Sequence, residues 1–334
     1  MHHKPYTIIV PVYNRPEEMR DLLQSLAEQT EQSFELLVIE DGSSLSSESV
    51  VAEYNHLFPI QYHFKPNSGP GDSRNVGMSL AQGEWLLFFD SDCVIPKTYF
   101  SNLTGALAER PLDAFGGPDA ADERFSDIQK AINYAMTSVL TTGGVRGKAN
   151  ALDEFQPRSF NMGMRKEVYN RVGGFSDIHP GEDPDLSYRI MQAGFRVGLI
   201  ENAFVYHKRR IDFKKFAKQV YKFGVTRVIL MKWYPSKTKV TYFFPALFTL
   251  GTASLLALML LGFTAAGFPL ALLAIILFFD ALRSTKNPAI AVMAVGASFL
   301  QLLSYGWGFI RSYFHIKLLG RPEREVFPGF FFQR

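Results

Sequence analysis

Residues 85–95 read WLLFFDSDCVI. An apolar run of strand length ends in two carboxylates one residue apart, Asp90 and Asp92. Charged groups beside a buried strand need partners. In an extended segment alternate side chains share a face, so the spacing predicts that the two carboxylates point the same way. Anions held that close repel each other, and a divalent cation is the usual remedy. Taken alone, the pair suits a solvated turn just as well, and the surrounding chain has to decide.

Upstream, strand and helix patterns alternate. TIIVPVY is a strand ending in a Pro/Asn/Arg turn, and Pro16 to Gln29 carries Met19, Leu22, Leu23 and Leu26 at helical spacing. FELLVIEDGSS is a buried strand stopped by Asp41-Gly42-Ser43, followed by a helix over 46–55 and the strand IQYHFK. Asp72 to Gln82 reads as helix and Glu84 to Phe89 as the fourth strand. The alternation predicts an α/β fold with a mostly parallel sheet. Ligands of such sheets bind outside the carboxyl ends of the strands, where Asn14, Arg15, Glu40, Asp41, Asp90 and Asp92 gather. That clustering favours a nucleotide-and-metal site over a solvated turn. Gly69-Pro70-Gly71-Asp72-Ser73-Arg74 invites a dinucleotide reading, but Arg74 stands where the last glycine belongs.

The 334 residues carry a net charge of +3 that hides a segregation. Residues 1–206 hold 17 Lys/Arg against 28 Asp/Glu, whereas residues 207–240 hold 11 Lys/Arg against Asp212 alone. An acidic domain followed by a basic stripe argues against nucleic acid as the main partner and points to a membrane surface. Charge-free runs at about 243–262, 263–279 and 289–310 have the length and composition of membrane helices. The expected organisation is a catalytic domain over 1–207, a basic amphipathic juxtamembrane segment over 208–240, a transmembrane region over 241–320 and a tail over 321–334. Positive charge before residue 240 predicts a cytoplasmic catalytic domain. Three full crossings would put Arg311, Lys317, Arg321 and Arg324 outside, against that rule, so a third run that is interfacial or re-entrant is the alternative. The single cysteine, Cys93, excludes an internal disulfide and fits a reducing compartment. The N-terminal residues read as a short strand rather than as the apolar stretch of a signal peptide.

The runs IIVPVYNRPEEMRDLLQSLAEQ, LLVIEDGSS, NSGPGDSRNVGMSLAQGEWLLFFDSD, FNMGMRKEVYNRVGGF and GEDPDLSYRIMQAGF closely resemble glycosyltransferase family 2, across residues 6–207 and in that family's order. The resemblance implies a GT-A fold, a Rossmann-like mixed sheet of nucleotide-diphospho-sugar transferases, here of the membrane-attached bacterial, inverting type. It implies that Pro11, Tyr13 and Asn14 line the base pocket, that Asp41 accepts a hydrogen bond from the base, and that Glu40 supports the nucleoside side. Asn67, Gly69, Arg74 and Asn75 would border ribose and sugar, as would Asn161, Met162 and Gly163. Asp90, Ser91 and Asp92 match the D-x-D motif, with Asp92 directly on the metal and Asp90 near ribose or metal. Asp183 falls at the catalytic-base position, with Glu182 orienting it or touching the acceptor.

Elementary chemistry agrees with these roles. A sugar leaving from a nucleoside diphosphate builds negative charge, which a hard cation on carboxylates stabilises, so Mn²⁺ or Mg²⁺ is expected. His207 is a candidate third ligand, better suited to Mn²⁺. Gln219-Val220-Tyr221-Lys222-Phe223 lacks the Arg-Trp pair of processive synthases, so one sugar per binding event is expected. The reading is a metal-dependent transferase of the bacterial inner membrane, multi-pass, taking a nucleotide sugar (a UDP-sugar by preference) to a lipid-linked or other membrane-associated glycan. The alternatives are a nucleotidyltransferase, whose early Gly-rich phosphate loop is missing, and a degenerate sugar-nucleotide-binding subunit of a membrane assembly.

Overall fold

The apolar runs become the centre of one sheet. The structure, a computed structural model, describes residues 5–120, 125–142, 155–207 and 212–332, with the backbone alone at His207. Strands β1 (Tyr6–Val12), β2 (Phe34–Asp41), β3 (Ile60–Lys65) and β4 (Trp85–Phe89) lie parallel, joined by helices α1 (Pro16–Ala27), α2 (Glu48–Tyr54) and α3 (Pro70–Leu80). Every residue of β2 is buried, as expected of an inner parallel strand covered on both faces. β3 forms the sheet edge and is correspondingly half exposed.

After β4 the chain forms β5 (Cys93–Val94), α4 (Tyr99–Glu109), β6 (Ala114–Gly116) and β7 (Asp119–Ala120), followed by α5 (Asp127–Thr137) and α6 (Val139–Thr142). It continues with β8 (Asn161–Arg165), α7 (Lys166–Val172), α8 (Glu182–Gln192), β9 (Val197–Leu199) and β10 (Val205–His207). The seven-stranded sheet runs β3-β2-β1-β4-β8-β6-β9, with β8 antiparallel to both neighbours, so it is mixed as the resemblance implies. A small sheet, β5-β10-β7, stands beyond the end of β4. Thr7 and Glu35, polar residues inside the core, satisfy each other at 2.6 Å and also receive Gly83 N and Gln82 N.

The chain divides into two compact units whose limits differ from the contiguous scheme expected. Residues 1–122, 147–208 and 329–334 form the catalytic unit, and residues 123–146 and 209–328 the helical unit. The reason is visible within each unit. The apolar face of α5 (Ala131, Ile132, Tyr134, Ala135) packs among helices of the second unit, where Tyr134 donates to Asp280 at 2.6 Å. The last residues pair with the loop before α8 in the first unit.

The helical unit also contains α9 (Phe213–Trp233), α10 (Phe244–Leu260), α11 (Phe268–Thr285), α12 (Pro288–Ser312) and the short α13 (Glu323–Val326). Residues 208–211, the start of the basic segment, lie outside the described residues. Helices over Val240–Leu260, Thr264–Thr285 and Pro288–Leu318 are long and apolar enough to cross a membrane, in line with the three runs expected. α12 lies against α9 at two glycines. A Cβ on Gly224 would collide with the Tyr305 carbonyl, and one on Gly308 with that of Tyr221. Backbones that close give dispersion contacts along the whole seam.

Candidate functional site

The loops after β1 and β2 are tied to each other. Asn14, in the left-handed region at φ 55°, accepts through Oδ1 from Ser44 N and Leu45 N, both at 2.9 Å. Glu40 is fully buried and accepts from the Ser43 hydroxyl and from Ser47 N at 2.8 Å, so it holds up the loop rather than facing a ligand. Tyr13 is exposed beside this loop, just after β1, and Pro11 is the second-last residue of β1, opposite Ile39.

Asp41 organises the next turn. Its carboxylate accepts from Lys65 Nζ at 2.5 Å, Ser68 N at 3.0 Å, Gly69 N at 2.9 Å and Asn67 Nδ2 at 3.2 Å. Gly69, at φ 94°, adopts a conformation that a side chain would strain, and it presents backbone at the start of α3.

The D-x-D residues depart from the extended geometry expected. β4 ends at Phe89, and Cys93 N donates to the Asp90 carbonyl at 3.0 Å, closing a turn over Asp90–Cys93. The two carboxylates therefore meet different cations, Asp92 pairing with Arg15 and Asp90 with Arg74 at 2.6 Å. Ser91 is buried between them. Among the described residues no three His, Cys, Asp or Glu side chains are grouped to hold an ion unaided. Two carboxylates from one turn still fit a hard cation whose remaining ligands are phosphate oxygens and water. The register sets His207 opposite Cys93, one residue from Asp92, but its side chain lies outside those described.

Arg74 is the hinge of the site. It is 3% exposed, lies over the Phe175 ring, donates to Asp90, and brings its other nitrogen to 3.7 Å from Glu182. One guanidinium thus links carboxylates about 90 residues apart in sequence, between the strand end and the first turn of α8. Glu182 also meets His179 Nδ1 at 2.9 Å and accepts from Gly181 N at 2.9 Å. Burial alone would raise its carboxyl, but the charge and hydrogen bond of His179 together with Arg74 outweigh that and bring it down to about 2. Asp183 goes the other way. Burial, then the neighbouring Glu182 charge, push its carboxyl up to about 6, against the pull of Arg74 and Arg158. Its Oδ1 is buried without a hydrogen-bond partner among the described residues. Asp185, as its place in the helix suggests, is structural and binds Arg189 at 2.9 Å.

Some expected contacts are corrected. Asn161, Met162 and Gly163 are buried in β8, where Asn161 bridges the Tyr99 hydroxyl at 2.7 Å and the Ala203 carbonyl at 2.8 Å, so they shape the core instead of touching a sugar. Both polar atoms of Asn75 engage the Phe175 backbone, at 2.7 and 2.9 Å, clasping α3 to the loop before Glu182.

The sequence reading missed the parts played by Arg15, Lys65, His179 and Phe332. A basic residue at the carboxyl end of β1 or β3, facing a ligand edge otherwise rich in acids, was a usable signal for the first two. None existed for Phe332, some 260 residues from its neighbour Gly69. His179 N donates to Phe330 O at 2.7 Å and Phe332 N to Asp177 O at 3.0 Å, making an isolated antiparallel bridge with the loop that leads into Glu182. The Phe332 ring covers Gly69 and lies 6.0 Å from His179. Phe332→Ala is expected to lower turnover by up to about 10²-fold through loss of loop position, checked by steady-state kinetics beside an unchanged melting midpoint.

Residues 7–173 match the family model described as glycosyl transferase family 2. An uncharacterized glycosyltransferase of Haemophilus influenzae is 43% identical over 195 residues, 56% of this chain and 62% of that protein. A pre-mycofactocin glycosyltransferase of Mycobacterium tuberculosis is 26% identical over 239 residues, 71% of this chain and 49% of that one. The chain thus spans about half to three fifths of these curated relatives. The solved mannosyltransferase PcManGT from Pyrobaculum calidifontis, in complex with GDP-Man and Mn²⁺, superposes with a TM-score of 0.61 over 90% of this chain and 88% of its own, at 17% identity. That likeness concerns the fold.

Proposed function

The chain belongs to glycosyltransferase family 2, and on that premise we propose that it moves one sugar from a nucleoside-diphosphate sugar to a hydroxyl of a membrane-associated glycan acceptor, with inversion. The observation that carries this reading is the Arg74 bridge, which joins the D-x-D carboxylate to an acid pair with opposed proton affinities. Two carboxyls whose environments push them apart have separate tasks. Asp183 takes the proton of the acceptor hydroxyl as that oxygen bonds to the anomeric carbon. The carbon–oxygen bond to the diphosphate breaks, and its electron pair leaves with the nucleotide. Glu182 stays ionised and, through Arg74 and His179, fixes the geometry of the pair.

Asp92 and Asp90 are the residues that would hold a divalent cation, Mn²⁺ or Mg²⁺, which when bound offsets charge on the leaving diphosphate. Arg15 and Arg74 pair with these carboxylates and orient them. The PcManGT complex, with GDP-Man and Mn²⁺ on a similar fold, supports a nucleotide sugar as donor. The excess of cations in α9 supports a catalytic unit at the cytoplasmic face of a bacterial inner membrane.

Calorimetric titration of detergent-purified protein with UDP, GDP and dTDP, each with Mn²⁺ and with EDTA, tests the reading. One nucleotide is expected to bind only with the metal, and Asp92→Ala to abolish that binding. A folded protein that binds none of the three refutes the proposal. The raised Asp183 adds a pH signature. The base works deprotonated, so kcat/KM is expected to fall about tenfold per pH unit below pH 6 and to level off above it. A profile flat down to pH 5 would remove Asp183 as the base.

A further inference from the structure

Helices α9 and α12 carry the same seven-residue pattern, Tyr221-x-x-Gly224-x-x-Arg227 and Tyr305-x-x-Gly308-x-x-Arg311. The two copies answer each other. Each glycine abuts the carbonyl of the other helix's tyrosine. Each arginine donates to the other helix's tyrosine hydroxyl, Arg227 Nε to Tyr305 at 3.3 Å and Arg311 Nη1 to Tyr221 at 2.8 Å. The helices run parallel, since Tyr221 and Gly224 meet Gly308 and Tyr305 while Met231, further along, meets Lys317. Side chains of a helix lean toward its N-terminus, which lets the arginine ending one pattern reach the tyrosine that starts the other. One Tyr–Arg pair therefore stands on each flank of the seam.

The flanks differ. Arg227 is half-buried, its guanidinium 4.2 Å from the centre of the Tyr242 ring, so that pair is closed off. Arg311 is exposed, with the Phe327 ring under it at 5.6 Å, and among the described residues no carboxylate pairs with it. Arg15, Arg74, Arg189 and Arg196, in the catalytic unit, each face one. Tyr221 accepts from Arg311, which leaves its own O–H to donate, and among the described residues nothing accepts it. Lys214, Lys218 and Lys222 recur every four residues along α9, so they form one stripe, and Lys218 is exposed one turn from Tyr221. Neither helix holds an Asp or Glu. Like charges at that spacing oppose the helix. Burial, then the Lys218 charge, pull the Lys222 ammonium below its ordinary value. An anion seated here relieves that repulsion.

A planar guanidinium, a phenol proton and a lysine ammonium, with no acid on either helix to compete, are the donors that a phosphate takes. The apolar side is present too. Trp307, one turn before Arg311 on the same face, is 58% exposed, and the charge-free run of α12 ends at Arg311. Indole rings collect where headgroups meet acyl chains. A free phosphate has no use for that ring, but a phosphate carried on a lipid does. We propose that Tyr221, Arg311 and Lys218 form a site for the phosphate group of an anionic membrane lipid, on the open flank of the α9–α12 seam. The closed copy, Arg227 with Tyr305, holds the seam while the open one binds. The site lies wholly within the helical unit and rests on the membrane reading above.

Native mass spectrometry of the full chain tests it. The protein is released from detergent micelles doped with phosphatidylglycerol, with a polyprenyl monophosphate, or with phosphatidylcholine, whose choline cation offsets its own phosphate. The wild type is expected to retain an anionic lipid about tenfold better than phosphatidylcholine. Preference for the polyprenyl monophosphate would identify a lipid carrier as the source, and preference for phosphatidylglycerol a bilayer headgroup; either supports the site. Tyr221→Phe keeps every charge and both glycine contacts and is expected to lower the preference severalfold, as is Lys218→Gln. Arg311→Gln is expected to abolish it, and should that variant melt early the other two carry the test. Arg283→Gln removes an exposed cation of the same unit away from the site and is expected to change nothing. Equal retention of the three lipids would overturn the site. So would a preference that falls as much with Arg283→Gln as with Tyr221→Phe, since diffuse surface charge would then explain it. Release of the unaltered protein from membranes by alkaline carbonate would instead overturn the membrane reading itself.

Discussion

Asp183→Asn is expected to lower sugar transfer by about 10²–10⁴-fold while nucleotide binding, followed calorimetrically, stays within about twofold. The amide keeps the shape of the carboxyl at the start of α8 but has no lone pair able to take the acceptor proton. Stability moves the other way. The folded chain holds the Asp183 proton more tightly than the unfolded one, because burial and the Glu182 charge raise its pKa from 3.8 to about 6. As pH rises from about 4 to 6 the unfolded state therefore ionises first, and the protein loses stability over that window. Above pH 6 that deficit remains, so Asp183→Asn is expected to melt at or above the wild-type midpoint at neutral pH. A variant that is inactive yet no less stable separates catalysis from folding. Wild-type turnover in Asp183→Asn would exclude the base role.

Arg74→Leu is expected to have the largest effect on the fold. It removes a buried cation from among Asp90, Glu182 and Asp183, and breaking a buried ion network costs about 3–5 kcal/mol. In a unit of this size that corresponds to a drop of roughly 10 °C in melting midpoint. Both binding and transfer are expected to fail, since carboxylates on each side of the site lose their partner. Arg74→Lys retains the charge but not the planar fork, and is expected to recover much of the stability and little of the turnover. Its pH profile is the sharper readout. The Arg74 charge pulls the Asp183 pKa down, so the acid limb stays near pH 6 in the lysine variant and moves upward in the leucine variant if that one folds. A leucine variant melting within about 2 °C of wild type would mean that the Arg74 bridge is not needed to hold the site together.

The strand–helix alternation of residues 6–89, the acidic strand ends and the three apolar runs were legible in the sequence because each is a local pattern. A continuous apolar run codes a buried parallel strand, a 3.6-residue period a packed helix, and a long charge-free segment a helix suited to lipid. The helix bounds were close, α3 starting at Pro70 and not at Asp72 because proline suits the first turn. The motifs that resemble the family put Asp90 and Asp92 just after β4 and Glu182 and Asp183 at the start of α8 for the same reason.

Partnership was not local and only the tertiary structure decided it. Whether Asn75 faces a ligand or clasps Phe175, whether Asp90 and Asp92 share a face or take separate arginines, and that Arg74 serves both ends of the site all depend on which segments the sheet brings together. Hydropathy marked three helices long and apolar enough to cross a membrane but carried no sign of where the chain returns after them. The contacts of Phe330 and Phe332 with residues 177–179, some 150 positions away, show that return. A sequence pattern reports the environment that each residue requires, and the fold decides which other residues provide it.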